Sequence, residues 1–128
     1  MAVKFLSEEW ATEVTKLLQA DEGVQKAAKG QNITIQQNIS GAPDGDTGNY
    51  LRVNDGVPEV VVGQADEAQI TVNQSYETTV AMDKGELNPQ AAFMQGKVKV
   101  QGNLLKLMQL QGLLSAVFKA VHDLEREY

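Results

Sequence analysis

The chain has 128 residues, 42% of them hydrophobic, and a formal net charge of −6, so it is expected to form one domain, residues 1–128, that buries roughly two thirds of its unfolded surface. It contains no cysteine, which excludes disulfides, thiolate metal sites and cysteine nucleophiles and predicts a reducing, cytoplasmic setting. No long apolar run opens the chain between Met1 and Leu6, no stretch approaches the width of a bilayer, and the negative balance argues against nucleic acid as a partner.

Trp10, Val14, Leu17 and Leu18 recur at helical spacing behind Ser7, a suitable cap, with Glu8 and Glu9 at the positive end of the helix. Asp21 to Lys29 predicts a second, shorter helix that carries Val24, Ala27 and Ala28 inward and stops at Gly30. The period then changes. Ile33, Ile35 and Ile39 alternate with polar residues as a strand, and the Gly/Pro/Asp-rich loop Ser40 to Gly48 leads to a second strand, Tyr50 to Val53. Asn54-Asp55-Gly56 is a tight turn, and Val60-Val61-Val62 reads as a strand buried on both faces.

Ile70 and Val72 mark a fourth strand. Ser75 caps a helix through Met82 that Gly85 ends, and Asn88-Pro89 starts another, since asparagine caps and proline fits the first helical position. Val98 and Val100, flanked by Lys97 and Lys99, form a fifth strand. Two helices close the chain, Leu104 to Leu110 and Leu113 to Glu125, separated by Gly112. This order predicts an α+β domain: a single five-stranded twisted sheet with helices packed mainly against one face.

Catalytic groups are hard to assemble from this sequence. His122 is the one histidine, it falls on the polar edge of the last helix, and Ser115 lies about 10 Å away along the axis, too far to form a nucleophile and base pair. Asp44-Gly45-Asp46-Thr47-Gly48 lacks the ligand spacing and closing glutamate of a calcium loop. Gly96, Gly102 and Gly112 do not follow a phosphate-cradling pattern. No enzyme activity, metal or cofactor is expected.

Charge is unevenly spread. Between Lys84 and Val121 stand Lys84, Lys97, Lys99, Lys106 and Lys119 against Glu86, a net of +4 that leaves −10 for the remainder. Lysines blunt exposed strands and solubilise helices; the same pattern also attracts anionic head groups, which would give transient contact with a membrane surface.

The helix from Leu104 to Leu110 is unusually apolar. Leu104, Leu105, Leu107, Met108 and Leu110 cover an arc of about 220°, where a helix lying on a surface needs only about 100°. It must be covered from more than one side, either by protein side chains or by a flexible apolar ligand. Burying ten methylenes yields about 8 kcal/mol gross at about 0.8 each, close to what micromolar binding requires.

The stretch Gly85-Glu86-Leu87-Asn88-Pro89-Gln90-Ala91-Ala92-Phe93-Met94-Gln95-Gly96-Lys97-Val98-Lys99-Val100-Gln101-Gly102-Asn103 closely resembles the signature of the sterol carrier protein 2 family. That signature runs from a glycine through asparagine-proline, an aromatic residue, Gly-Lys and an alternating strand to Gly-Asn before a leucine/methionine helix. Ala68-Gln69-Ile70-Thr71-Val72 and the capped helix after it are similar to the family's fourth strand and helix, and the first 60 residues match in pattern more than in letters. The resemblance implies an apolar tunnel between sheet and helices that accepts a sterol, fatty acid, fatty acyl-coenzyme A or phospholipid; for a stand-alone member a fatty acyl or isoprenoid ligand is expected as readily as a sterol. By position its lining would be Met82, Phe93, Met94, Gln95, Leu104, Leu105, Met108, Leu113, Val117 and Phe118, with Gln95 the main polar neighbour and Lys97, Lys99 and Lys106 steering head groups. The chain ends Arg126-Glu127-Tyr128 after an extra helical segment, without a peroxisomal tripeptide, and no thiolase or dehydrogenase domain is attached; it looks like a stand-alone member, compatible with a bacterial one, acting as monomer or homodimer. The expected function is non-catalytic binding and transfer of a lipid, with a dimerisation or lipid-presenting accessory module of a partner enzyme as the alternative.

Overall fold

The computed structural model describes residues 2–128. Its chain order is β1 (Val3–Lys4), α1 (Glu8–Ala20), α2 (Glu22–Ala28), β2 (Ile33–Ser40), β3 (Thr47–Asn54), β4 (Val57–Val62), β5 (Ile70–Ser75), α3 (Tyr76–Asp83), α4 (Pro89–Met94), β6 (Val98–Gly102), α5 (Leu104–Gln109), α6 (Gln111–Val121) and β7 (Arg126–Glu127). The main sheet has the order β4-β3-β2-β5-β6, antiparallel except for the central parallel pair of β2 and β5. The α+β architecture and the five-stranded sheet are those expected from the sequence pattern.

Local chemistry accounts for the helix starts. The Ser7 side chain accepts from the Trp10 N–H, Asp21 from Val24, Ser75 from Thr78, and Asn88 from Gln90 with Pro89 in the first turn. Each such cap is worth about 1 kcal/mol. The Asn54 to Gly56 turn places Asp55 and Gly56 at φ of 50° and 82°, the left-handed geometry that tight hairpin turns require.

Period-two alternation sorts the sheet into two unlike faces. One carries Ile33, Ile35 and Ile39 of β2, Leu51 and Val53 of β3, Val60 of β4, Ile70 and Val72 of β5, and Val98 and Val100 of β6, brought together by the register. Val14, Leu18, Val24, Ala28, Leu110 and Leu113 of the helices pack with Ile33, Ile35, Val53 and Ile70 into the main core. The other face carries Arg52, Glu59, Gln36, Asn38, Asn73 and Lys99 and is covered by the crossing from β4 to β5. There the Gln36 amide donates to the Gly63 carbonyl at 3.1 Å and accepts from the Ala65 N–H at 2.9 Å, while Gln64 donates to Asn38.

Two expectations need correction. Val60-Val61-Val62 is an edge strand, half-buried rather than covered on both faces; α1 protects it, the Thr15 hydroxyl accepting from the Val60 N–H at 2.9 Å and Gln19 donating to the Pro58 carbonyl. The last helix stops at Val121, not Glu125, and the terminal segment is not helical, because Arg126 and Glu127 pair in parallel with Val3 and Lys4. Val3, Phe5 and Leu6, assigned to no element from the sequence, are buried. Phe5 and Leu6 join Ile39 in a second core cluster, and Phe5 stacks edge-on against Trp10 and Tyr128.

The Gly-Asn that ends β6 has a steric reason. Gly102 holds φ at +107°, and a Cβ there would strike the Gln69 carbonyl, which also accepts from the Asn103 N–H. Gly102→Ala should therefore destabilise the fold by about 1–3 kcal/mol, read as a lower urea midpoint with an unchanged slope.

Candidate functional site

The apolar face of the sheet is covered unevenly. Helix α1 lies close on β4, whereas α6 packs chiefly on α2 and α1, and nothing among the described residues brings it comparably close to β5 or β6. On that side the sheet remains partly accessible: Val72 and Val100 are half-buried, and so is Gln37 on the central strand β2. A central-strand side chain on the helix-covered face is ordinarily sealed. The half-buried row Gln37, Val72 and Val100, joined by register, is thus the floor of a cleft.

Its surroundings are apolar. Leu114, Val117 and Val121 of α6 and Leu107 of α5 are half-buried against the main core. Phe118 is 48% exposed, Phe93 51%, Leu104 48%, Leu105 68%, Met108 70% and Met94 85%. These six, out of eight large hydrophobic side chains exposed among the described residues, all lie between positions 93 and 118, so the exposure is concentrated rather than the scattered kind any surface shows.

The ten expected lining positions divide accordingly. Leu113 is sealed in the core at 3% exposure. Met82 and Val117 are half-buried. Phe93, Met94, Leu104, Leu105, Met108 and Phe118 stand exposed, as does Gln95. They do not enclose a tunnel in this structure; two surface hollows lie elsewhere, one of about 560 Å³ beside Pro43, Tyr76, Val80 and Tyr128, the other beside Phe5, Pro43 and Tyr76. Sheet alternation puts Lys97 and Lys99 on the polar side of β6, opposite the cleft. Lys106 stands past the far end of β6 on α5, its Nζ donating to the Gln31 amide oxygen at 3.3 Å. The three lysines therefore do not form one cluster.

The floor residues Gln37, Val72 and Val100 and the α6 positions Leu114 and Val121 were absent from the expected lining. The strand alternation places Val72 and Val100 on the apolar face, but only the packing of α6 reveals that they stay partly open. His122 and Ser115 are exposed. Asp44 pairs with Lys4, and Asp46 accepts from the Gly41 N–H, the loop-closing roles expected of a turn. No group of three metal-ligating side chains occurs among the described residues, and no helix among them is long and apolar enough to cross a membrane.

The far end of α6 is anchored. Arg126 donates from Nε to Asp83 at 2.7 Å and from a terminal nitrogen to the Val121 and Leu124 carbonyls at 2.6 and 2.8 Å, while the Tyr128 hydroxyl donates to Asp83. Burial opposes the charge of Arg126, but Tyr128 and Asp83 outweigh it and hold its pKa above the usual value. This clamp fastens the end of α6 to α3 while the helix flank facing the cleft stays free.

A small α+β domain with one apolar sheet face left partly open beneath its closing helices is what these features define. Residues 14–115 match the family model described as the SCP-2 sterol transfer family, and the chain belongs to that family. It is 33% identical over 102 residues to "Sterol carrier protein 2" of Gallus gallus, covering 79% of this chain but 18% of that protein, so it spans less than a fifth of that relative. It is 30% identical over 91 residues to "Non-specific lipid-transfer protein-like 1" of Caenorhabditis elegans, covering 70% of this chain and 76% of that one. A crystal structure of sterol carrier protein 2 superposes with a TM-score of 0.79 at 20% identity, covering 94% of this chain and 99% of that chain, which shows the shared fold.

Burial first, and then the hydrogen bond to Asp83, raise the Tyr128 pKa above its ordinary 10.0. A raised folded-state value means that the protonated phenol contributes stability fully below about pH 10 and loses it as pH rises through the folded pKa. The urea midpoint of the native chain should fall more steeply above pH 10 than that of Tyr128→Phe; parallel curves would exclude this contribution.

Proposed function

We propose that this chain binds a hydrophobic lipid in the cleft between α5–α6 and the β5–β6 half of the sheet and transfers it without altering it chemically. The observation that carries this reading is the partly open central-strand row Gln37, Val72 and Val100 facing a concentration of exposed apolar side chains between Phe93 and Phe118. Covering such surface recovers about 25 cal/mol per Å², and methionines such as Met94 and Met108 adapt to flexible chains. Membership of the SCP-2 sterol transfer family supports the reading, as does the name of the Caenorhabditis elegans relative, a non-specific lipid-transfer protein-like protein. The ligand classes in view are a fatty acid, fatty acyl-coenzyme A, a sterol or an isoprenoid, and the compartment proposed is the cytoplasm.

A second reading, association with a copy of itself or a lipid-presenting accessory role beside a partner enzyme, is favoured by Met94, Leu105 and Met108, the most exposed of the apolar group.

Native mass spectrometry of freshly purified protein should show retained lipid, and a fluorescent fatty acid should bind and be displaced by unlabelled lipid. Phe118→Ser should weaken that binding about tenfold with little change in the urea midpoint, because Phe118 is half-exposed and its loss opens no sealed cavity. A stable dimer or complex with neither retained lipid nor probe binding would favour the second reading.

Lys97 and Lys99 are exposed on the polar side of β6, where they can meet anionic head groups during approach. Charge reversal of both should slow transfer to acidic vesicles several-fold at low salt and leave transfer to neutral vesicles unchanged; equal rates on acidic vesicles would remove this role.

A further inference from the structure

We infer that the paired amides of Asn49 and Gln37 form a polar pole in the cleft and select a lipid carrying an uncharged hydroxyl or carbonyl oxygen over an ionised carboxylate. The inference rests on the cleft being a lipid site. Asn49 and Gln37 are register partners on β3 and β2, so their Cβ atoms lie about 5 Å apart on the helix-covered face. Asn49 is 6% exposed, and its Nδ2 is buried without a hydrogen-bond partner. Gln37 beside it is half-buried, and its side-chain amide makes no hydrogen bond to any described residue.

Two unpaired amides side by side are out of place on this surface. Their register partners on the outer sides are Val62 and Val72, and Ile35, Ile39 and Leu51 flank them on the same face. Gln74, the other long amide on this face, behaves conventionally and donates to the Thr79 hydroxyl at 2.8 Å. A buried donor left unpaired weakens the folded state, and such a group calls for a partner that the chain itself does not provide. Gln37 stands between the sealed Asn49 Nδ2 and the accessible cleft floor, so an acceptor entering there reaches Asn49 only as the Gln37 side chain turns aside.

The charge of that acceptor follows from the face. None of the strand residues on the helix-covered side is ionisable; Arg52, Glu59 and Lys99 all alternate to the opposite side. A carboxylate carried to the Asn49–Gln37 pair would lose its hydration and meet no cation. An alcohol oxygen can accept from the Asn49 Nδ2 and donate its proton to the Gln37 amide oxygen, and a carbonyl oxygen can use the donor alone.

Three probes with one reporter and one chain length test this: pyrenyl-dodecane, pyrenyl-dodecanol and pyrenyl-dodecanoate, titrated into the intact chain and into Asn49→Leu and Gln37→Leu, at a pH well above the carboxylate range. The readout is the ratio of affinities between probes, which cancels any general loss of apolar packing. For the native chain the alcohol should bind about tenfold tighter than the carboxylate, because the carboxylate gives up hydration at the pair without meeting a cation. Asn49→Leu should reduce the alcohol-to-alkane ratio about tenfold while the alkane affinity stays within about twofold, and Gln37→Leu, at a more open position, should reduce it by a smaller factor. Should Asn49→Leu fail to fold, Gln37→Leu and the native chain's probe preference still decide. A native preference for the carboxylate, or an unchanged alcohol-to-alkane ratio in the folded variants, would overturn the selection while leaving a lipid site intact. Binding of none of the three probes by the native chain would overturn both the lipid reading and this inference.

Discussion

The organisation of this protein follows from the constraint that a one-sided apolar sheet must be covered by helices too few to cover it evenly. Helix α1 is tied to edge strand β4 through Thr15 and Gln19, and α2 and α6 pack around it through Leu18, Val24, Ala28 and Leu113. These contacts bury Ile33, Ile35 and Val53 on that side of the sheet. Because α6 is drawn toward α1 and α2, the flank over β5 and β6 stays open, and the apolar residues of α4, α5 and α6 that would otherwise close it remain in contact with solvent. An incompletely covered face of this kind lacks packing contacts that a solid core would have, and the guest proposed above would restore them.

Two further features keep the open flank from spreading into general instability. At one end Gly102 and Asn103 fasten α5 against the Gln69 carbonyl, so that α5 leaves the sheet at a fixed angle. At the other, the Arg126 to Asp83 pair, with side chains 8% and 14% exposed, fixes the end of α6, and β7 adds main-chain pairing to β1. The part of the site left in contact with solvent consists of side chains such as Phe118, Leu105 and Met108. The proposed carrier role calls for that combination: a frame that stays folded when empty beside a wall that can admit and release a cargo.

The polar face of the sheet shows by contrast how this chain treats amides it intends to satisfy. Gln36, 4% exposed, finds partners in Gly63 and Ala65, and Asn38 finds one in Asn73. Asn49 and Gln37, one residue of alternation away on the apolar face, find none. The difference places an unmet hydrogen-bonding demand on the side of the sheet where a lipid would lie.

Much of the architecture was legible in the sequence because it is encoded locally. Hydrophobic period separates the helices from the strands, Ser7, Ser75 and Asn88 are caps by residue type, Asn54-Asp55-Gly56 can hardly be other than a tight turn, and the run from Gly85 to Asn103 carries a family signature whose Gly102 has a steric cause. The excess apolar arc of α5 predicts cover from more than one side, whereas Leu104, Leu105 and Met108 stand exposed, because α6 leans on α1 and α2 instead. Other features depend on partners distant in the chain: the edge position of β4, the pairing of Val3 and Lys4 with Arg126 and Glu127, the burial of Phe5 and Leu6, and the sealing of Leu113 while Leu105 and Met94 face outward. Helical period gives a side chain's direction around its own axis, but not which neighbour stands there. Tertiary packing alone decided that α6 leans on α1 and α2, that Lys106 parts company with Lys97 and Lys99, and that Gln37 and Asn49 share an apolar surface without a partner, because each is a relation between elements whose relative placement is set by burial summed over the whole chain.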